Sequence, residues 1–341
     1  MTTADERAFL EAVRAQPDDD TPRLVFADWL DERGQGDDAA RAALIRAQCR
    51  LERLPDGRER SAAGREVKAL LKAHAKAWTA PLRAAGLGDD WTFRRGFIDA
   101  GALTPTHFVK HAELIFRHAP LLRAVRFPHA QSEVTQLAAC PYLARLAAVD
   151  LTQMCTCGRC PIDAELRDLF RSPHAAGLER LSVARDRIDA GMVRALVASS
   201  LLIRLTALDL FGNPVGAAGL GVLAEARRLP RLEELTLGGD PFDAGGADAL
   251  SRIHLPALTR LRLSSAAVRP AAVRALVAAS FFPDLTELDL SDNRIGEGGA
   301  AALAKLHPSA KLTVLDVRRN GLSEKAIRAL KARFENGVKV A

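Results

Sequence analysis

One phrase recurs six times in the second half of this 341-residue chain, and it constrains the fold more than any other feature. Each copy has apolar residues at its first, fourth and sixth positions, and five of the six copies carry Asn or Asp at the ninth. Successive copies lie 27, 27, 26, 27 and 27 residues apart. A fixed period with fixed apolar positions is the signature of a solenoid. The copies begin at Leu178, Leu205, Leu232, Leu258, Leu285 and Leu312.

Each copy predicts one short strand followed by one helix. The apolar-x-apolar spacing of the opening directs alternate side chains of a strand into the core. The Asn or Asp side chain can bond backbone groups where the chain turns, and a leucine at the nineteenth position faces the core from the helix. One unit cannot bury its own core, so the units must stack. We therefore expect an α/β solenoid with parallel strands on a concave surface and helices on the convex one.

The repeats resemble a known family. Leu205–Asn213 reads LTALDLFGN and Leu285–Asn293 reads LTELDLSDN, and imperfect copies begin at Leu122 and Leu146. Residues 122–334 thereby resemble leucine-rich repeats of the ribonuclease-inhibitor-like type, in about eight strand–helix units. The resemblance implies a non-catalytic module that binds a protein on its concave face.

The first 90 residues show helical periodicity and none of the later phrase, so they predict a separate all-α domain. Phe9-Leu10, the run from Pro17 to Gly34 (PDDDTPRLVFADWLDERG) and Ala43–Gln48 (ALIRAQ) are similar to a bacterial repeat-companion domain, which covers 1–54 here. The activity of that module is not established, so the resemblance implies architecture more than chemistry. We expect a lead-in strand and a helix over 91–121, and a polar tail over 335–341.

Composition narrows the class of protein. Aromatic residues are 5% of the chain, as suits thin aliphatic repeats, and the formal charge of +6 is spread without a long basic tract. Nucleic-acid binding needs basic side chains clustered on one face, so we do not expect it. No segment reaches ~20 uninterrupted apolar residues, and the N-terminus lacks the apolar core of a signal peptide. We expect a cytoplasmic monomer that binds an unidentified protein and no membrane.

A cysteine-rich insertion lengthens the repeat that begins at Leu146. Structural zinc takes four Cys or His ligands, often from a Cys-x-x-Cys knuckle. Cys157 and Cys160 form one knuckle beside Cys155, and Cys140 is the candidate fourth ligand, with His129 and His174 as other choices. A reduced loop or an opportunistic disulfide would explain the same residues, because one knuckle without a second is a weak motif.

The side chains between the strand leucines form the predicted partner-binding surface. They make two acidic patches around a basic step, with one phenylalanine as a candidate anchor. The alternative is that aspartate is common filler at this position of such repeats. The candidate binding residues are Arg180, Asp209, Phe211, Glu234, Arg260, Arg262, Glu287, Asp289, Asp316 and Arg318.

A second polar cluster, from Asp18 to Arg33, is either a recognition patch or a helix stop with local ion pairs. No Gly-x-Ser-x-Gly, His-Glu-x-x-His or phosphate-loop motif occurs in the chain, so we predict no catalytic site. Two other functions remain open: a regulator that accelerates hydrolysis by a small GTPase, as one group of similar repeats does, and an adaptor whose N-terminal domain binds a second partner.

Overall fold

A computed structural model of the chain describes residues 4–155, 162–226, 229–241, 244–306, 310–334 and 337–339. The chain divides into two compact units, unit 1 over 1–126 and unit 2 over 127–341. The predicted domain boundary near residue 90 stays a prediction.

Unit 1 is helical between residues 4 and 84, as expected. Its helices are α1 (Ala4–Ala15), α2 (Thr21–Arg33), α3 (Asp38–Arg53), α4 (Arg58–Trp78), α5 (Ala80–Ala84) and α6 (Pro105–His118). Its strands are β1 (Trp91–Arg94), β2 (Phe97–Ala102) and β3 (Ala124–Arg126).

The core of unit 1 is built from aliphatic and aromatic side chains, most of them from α1, α2 and α3. Leu10 and Val13 of α1 pack with Phe26 and Leu30 of α2 and with Ile45 of α3. Pro22 stands in the first turn of α2, where a missing N–H costs nothing, and Gly34 ends that helix in the left-handed conformation.

The predicted single lead-in strand is wrong, because the segment forms a hairpin. β1 and β2 pair antiparallel, and Arg95 and Gly96 form the turn between them with φ angles of 47° and 86°. Gly96 also lies directly against α3: a Cβ there would stand 2.1 Å from Cγ1 of Ile45. Only glycine combines that approach with a positive φ, and the sequence signal was the Arg95-Gly96 pair inside an otherwise strand-like run.

Unit 2 alternates strands with helices, as the repeat predicts. Its strands are β4 (Ala148–Asp150), β5 (Arg180–Ser182), β6 (Ala207–Asp209), β7 (Glu234–Thr236), β8 (Arg260–Arg262), β9 (Glu287–Asp289), β10 (Val314–Asp316) and β11 (Val338–Lys339). Its helices are α7 (Val134–Ala138), α8 (Ile162–Arg171), α9 (Ala190–Val197), α10 (Gly216–Ala226), α11 (Ala244–Ser251), α12 (Pro270–Val277), α13 (Gly296–Ala304) and α14 (Glu324–Phe334).

The strands of unit 2 pair in parallel and in strict register. Leu181, Leu208, Leu235, Leu261 and Leu288 stand opposite one another on β5 to β9, each at most 2% exposed. The described part of the C-terminal tail departs from the expectation, because Val338 and Lys339 form β11 on the edge of β10. An open strand edge exposes unpaired N–H and C=O groups, and β11 satisfies part of that edge.

Asparagine side chains join neighbouring repeats where each strand turns toward its helix. Oδ1 of Asn293 accepts hydrogen bonds from the backbone of Ala266 at 2.9 Å and Val268 at 3.0 Å, and Nδ2 donates to the carbonyl of Leu263 at 2.8 Å. Asn213 and Asn320 bond the preceding repeat in the same way. These bonds confirm the role predicted for the ninth position, because the amide satisfies buried backbone groups that nothing else reaches.

Candidate functional site

The candidate binding residues of unit 2 lie on the sheet in three columns, which we call the strand surface. Strand pairing aligns the first two columns from β5 to β10. The third column lies just beyond the end of each strand, and its backbone carbonyls accept hydrogen bonds from backbone N–H groups in the turn of the preceding repeat. The first column is Arg180, Ala207, Glu234, Arg260, Glu287 and Val314, the second is Ser182, Asp209, Thr236, Arg262, Asp289 and Asp316, and the third is Ala184, Phe211, Gly238, Ser264, Ser291 and Arg318.

Glu234 is the hub of the first column. It forms ion pairs with Arg180 at 2.9 Å and with Arg260 on the adjacent strand. The pair with Arg180 reaches across β6, where the small side chain of Ala207 is only 7% exposed. Burial alone would raise the pKa of Glu234, but the two arginines outweigh it and hold that pKa below its usual value.

Two further pairs occupy the C-terminal end of the strand surface. Nη2 of Arg262 lies 3.2 Å from Oε1 of Glu287. Arg318 binds both carboxylate oxygens of Asp316, with Nη2 at 2.6 Å from Oδ2. Burial opposes ionisation of Asp316, yet the contact with Arg318 keeps the pKa of Asp316 below its usual value. The predicted basic step is therefore already neutralised by neighbouring carboxylates within the protein.

The aspartates of the second column have a structural task that the sequence did not reveal. Oδ1 of Asp209 accepts from the backbone N–H of Phe211 at 2.9 Å, Asp289 accepts from Ser291 at 2.8 Å, and Asp316 accepts from Arg318 at 3.1 Å. Each bond closes the turn two residues beyond the strand, the local pattern that aspartate favours. The bonds support the interpretation of these aspartates as repeat filler.

The N-terminal end of the strand surface is less charged. Asp209 accepts a hydrogen bond from Oγ of Ser182 at 3.3 Å, and Ser182 contacts the hydroxyl of Thr152 at 2.8 Å. Burial raises the pKa of Asp209, and its hydrogen bonds only partly offset this. Phe211, the predicted anchor, is half-buried with the guanidinium of Arg185 5.5 Å above its ring centroid. An aromatic ring beside uncharged hydroxyls offers contact area that does not first require breaking an ion pair.

The cysteine insertion is only partly covered by the structure. Cys140 is buried and Cys155 is half-buried, while Cys157 and Cys160 lie outside the described residues. Within the described part of the chain no group of three or more His, Cys, Asp or Glu side chains is placed to hold a metal ion. The zinc site stays a prediction, for which metal analysis of purified protein should find about one zinc per chain.

The polar cluster of unit 1 is a network of ion pairs around the start of α2. Asp20 is 5% exposed and binds Nε of Arg53 at 2.8 Å and Nε of Arg95 at 3.2 Å. Arg23 is also buried, but it donates to the carbonyl of Asp19 at 2.8 Å and pairs with no carboxylate in the described residues. Asp28 binds Arg46 instead.

This network matches the helix-stop interpretation in part. Oδ1 of Asp19 accepts from the backbone of Thr21 at 2.8 Å, so the acidic run does satisfy the helix start. The local ion pairs of that interpretation do not form at Arg23 or Asp28, because residues of α3 and of the β1–β2 turn bind Asp20 and Asp28 instead. Burial, and to a smaller extent the nearby Asp20, raises the pKa of the Cys49 thiol to about 12. A thiol with so high a pKa is inert.

Comparisons with known proteins agree with the repeat geometry. The family model described as Leucine Rich repeat matches residues 205–224 and 283–304, which span β6 to α10 and β9 to α13. Unit 2 contains leucine-rich repeats. Repeats of this kind are typically protein–protein interaction modules. No curated protein matches the chain.

Two solved structures are similar in part. One is a protein from Bacteroides fragilis, 16% identical, with a TM-score of 0.42 over 81% of this chain and 83% of that chain. The other is an internalin from Listeria monocytogenes, 14% identical, with a TM-score of 0.31 over 66% of this chain and 68% of that chain. Both scores are below 0.5, so neither likeness adds to the assignment. The resemblance of residues 1–54 to a repeat-companion domain stays a prediction. None of the helices in the described residues is long and apolar enough to cross a membrane.

Proposed function

We propose that unit 2 binds a protein partner through the strand surface, as a non-catalytic module. The observation that supports this most strongly is the alignment of charged and polar side chains from six consecutive strands on one face. Such an array gives a partner a fixed set of hydrogen-bonding groups on a rigid scaffold. The helices occupy the other side of the same repeats.

The ion pairs on the strand surface distinguish residues that are already bound within the chain from residues that a partner can contact. Arg180, Arg260 and Arg262 already bind carboxylates of this chain, so a partner gains little net energy from replacing those contacts. Asp209 and Asp289 have no ion pair with a described side chain, and Phe211 offers a half-buried aromatic ring, which makes these three residues the better contact points. We therefore place the centre of the interface on the second and third columns.

Neutralising one aspartate without breaking its turn tests this interface. Asp289→Asn keeps an oxygen that can accept from the N–H of Ser291, whereas Asp289→Arg would remove that bond and mix binding with stability. Crosslinking mass spectrometry in the native host first identifies the partner, and calorimetry then measures its Kd. We expect Asp289→Asn and Phe211→Ala each to weaken binding by roughly tenfold, about 1.4 kcal/mol.

The matched control is Asp248→Asn on α11, an exposed aspartate away from the strands. It should leave the Kd unchanged. Equal affinities for the strand-surface variants and the control would contradict the proposal, provided that the thermal midpoints are the same.

A further inference from the structure

The helical side of unit 2 contains a groove between α8 and α9 with a volume of about 580 Å³. That volume falls in the range of about 300–1,000 Å³ usual for ligand sites. Gly191 and Ala195 of α9 and Ala198 just after it are small and leave the space open, and Phe170 of α8, which also lines the groove, is buried. The groove lies away from the strand surface, so it has no part in the proposed function.

Three arginines line the groove: Arg167 and Arg171 from α8 and Arg194 from α9. Arg167 and Arg171 are four residues apart and therefore share one face of α8. No carboxylate lines the groove, and none of the three arginines forms an ion pair with a carboxylate in the described part of the chain. By contrast, most arginines of the strand surface have a carboxylate within 3.2 Å.

The charge separation on α8 explains why these arginines have no counter-charge. α8 carries three carboxylates, and two of them, Glu165 and Asp168, turn toward α7. The third, Asp163, lies four residues before Arg167 but does not line the groove and forms no ion pair with Arg167 among the described residues. Glu165 accepts from the backbone of Ser132 at 2.7 Å and Val134 at 2.9 Å, and Asp168 accepts from Oγ1 of Thr135 at 2.8 Å. α9 carries no acidic residue between Ala190 and Val197, so neither helix contributes a carboxylate to the lining of the groove.

We propose that this groove binds an acidic segment of a partner protein, with Arg167, Arg171 and Arg194 as its carboxylate contacts. Arginine presents donors in a planar fork that matches a carboxylate. The three guanidinium groups come from two helices and from successive turns of one of them, which suits several carboxylates along an extended segment. A single small anion would use one arginine at a time and is the alternative that the test must separate.

A repeat elsewhere in the chain provides a matched control. Arg274 on α12 occupies the same position in its repeat as Arg194 on α9, since both helices end in VRALV. The helix before α12 is α11, whose sequence AGGADALS contains no arginine. Arg274 is thus an exposed arginine at the same site of a repeat without the basic groove.

The test is a fluorescence-anisotropy titration of the full chain with a fluorescein-labelled hexaglutamate peptide. We expect Arg171→Ala with Arg194→Ala to weaken binding by at least about tenfold, and Arg274→Ala to change it by less than about twofold. Arg194→Lys keeps the charge but loses the planar guanidinium, so its loss of peptide affinity should fall between these two limits. Asp289→Asn and Arg262→Ala on the strand surface should leave peptide affinity unchanged, which keeps this test separate from that of the proposed function.

Three results would overturn the proposal. The first is equal weakening by the groove variant and Arg274→Ala, which would indicate attraction to the overall positive charge. The second is no peptide binding at low salt. The third is binding of inorganic phosphate, lost in the groove variant, without binding of the peptide, which would indicate a small-anion site. A circular-dichroism melt of each variant shows whether it is folded.

Discussion

Asp186 occupies the position at which three other repeats place asparagine, and the difference is a single hydrogen-bond donor. Oδ1 of Asp186 accepts from the backbone of Met154 at 2.7 Å, as the asparagine oxygens do. Oδ2 is buried and has no partner, where Nδ2 of Asn213 donates to the carbonyls of Val183 and Leu210. A carboxylate cannot donate there, so one oxygen of a buried carboxylate is left without a hydrogen bond.

The first prediction is that Asp186→Asn stabilises the protein at pH 8 and not at pH 4. Burial, with a smaller contribution from Asp150, raises the pKa of Asp186 to about 7, against about 3.9 in an unfolded chain. Because the folded pKa is the higher one, the stability present below pH 4 is lost as the pH rises to 7 and stays lost above it. We expect a gain of roughly 2–4 kcal/mol at pH 8, measured by urea denaturation.

The reverse change in the next repeat is the control. Asn213→Asp removes donors to Val183 and Leu210 and should destabilise the protein at pH 8 more than at pH 4. A pH-independent effect of Asp186→Asn would show that Asp186 is ionised at little cost in the folded protein.

Among the elements, the turn that follows each strand uses a left-handed residue in every repeat of unit 2. Gly212 and Gly239 have φ angles of 67° and 74°, and Arg185, Ser265 and Asp292 adopt angles of 61°, 54° and 56° at the same place. A non-glycine residue in this conformation costs about 1 kcal/mol. The repeats therefore impose the turn even where the local residue disfavours it.

The second prediction contrasts two of these turns. Gly239→Ala should destabilise the protein by roughly 1–3 kcal/mol, because the new Cβ would stand 2.7 Å from Cα of Gly212. Ser265→Gly should be neutral or stabilise it by up to about 1 kcal/mol, since it relieves the left-handed strain. Thermal midpoints of the two variants measure both effects, and equal losses would mean that the turn does not govern stability.

The third prediction concerns the hairpin turn of unit 1. Gly96→Ala should destabilise unit 1 by about 2–4 kcal/mol, since it would place a carbon inside Ile45 and add strain at φ 86°. Gly88→Ala is the control, because Gly88 also has a positive φ of 71° but has open space around it. A loss for Gly88→Ala as large as that for Gly96→Ala would show that strain matters there and close packing does not.

For the whole molecule, the sequence predicted the solenoid because its period is local and repeats in register. Leu181, Leu208 and Leu235 could be aligned by counting, and their strands pair as counted. The sequence did not predict two features. One is the turn at Gly96, which needs glycine because Ile45 of α3 lies against it, and the other is β11, whose two residues carry no repeat signal. Both depend on contacts between residues far apart in the chain.

The strand surface was predicted by position but not by chemistry. Counting from the leucines placed Glu234 and Asp289 correctly, because the period of a strand fixes the face of each residue. It could not show that Glu234 binds Arg180 two strands away or that Asp289 closes its own turn. The groove between α8 and α9 was not predicted, since its arginines lie outside the apolar and Asn or Asp positions that define the repeat.

The most direct measurement of the central claim, that the strand surface binds a protein partner, is site-specific photo-crosslinking in the native host. A photoreactive residue replaces Thr236, in the second column of the strand surface, or Ala278, an exposed residue at the end of α12. We predict that a partner protein crosslinks at position 236 and not at position 278. Crosslinking of that partner at position 278 alone, or at neither position, would contradict the account.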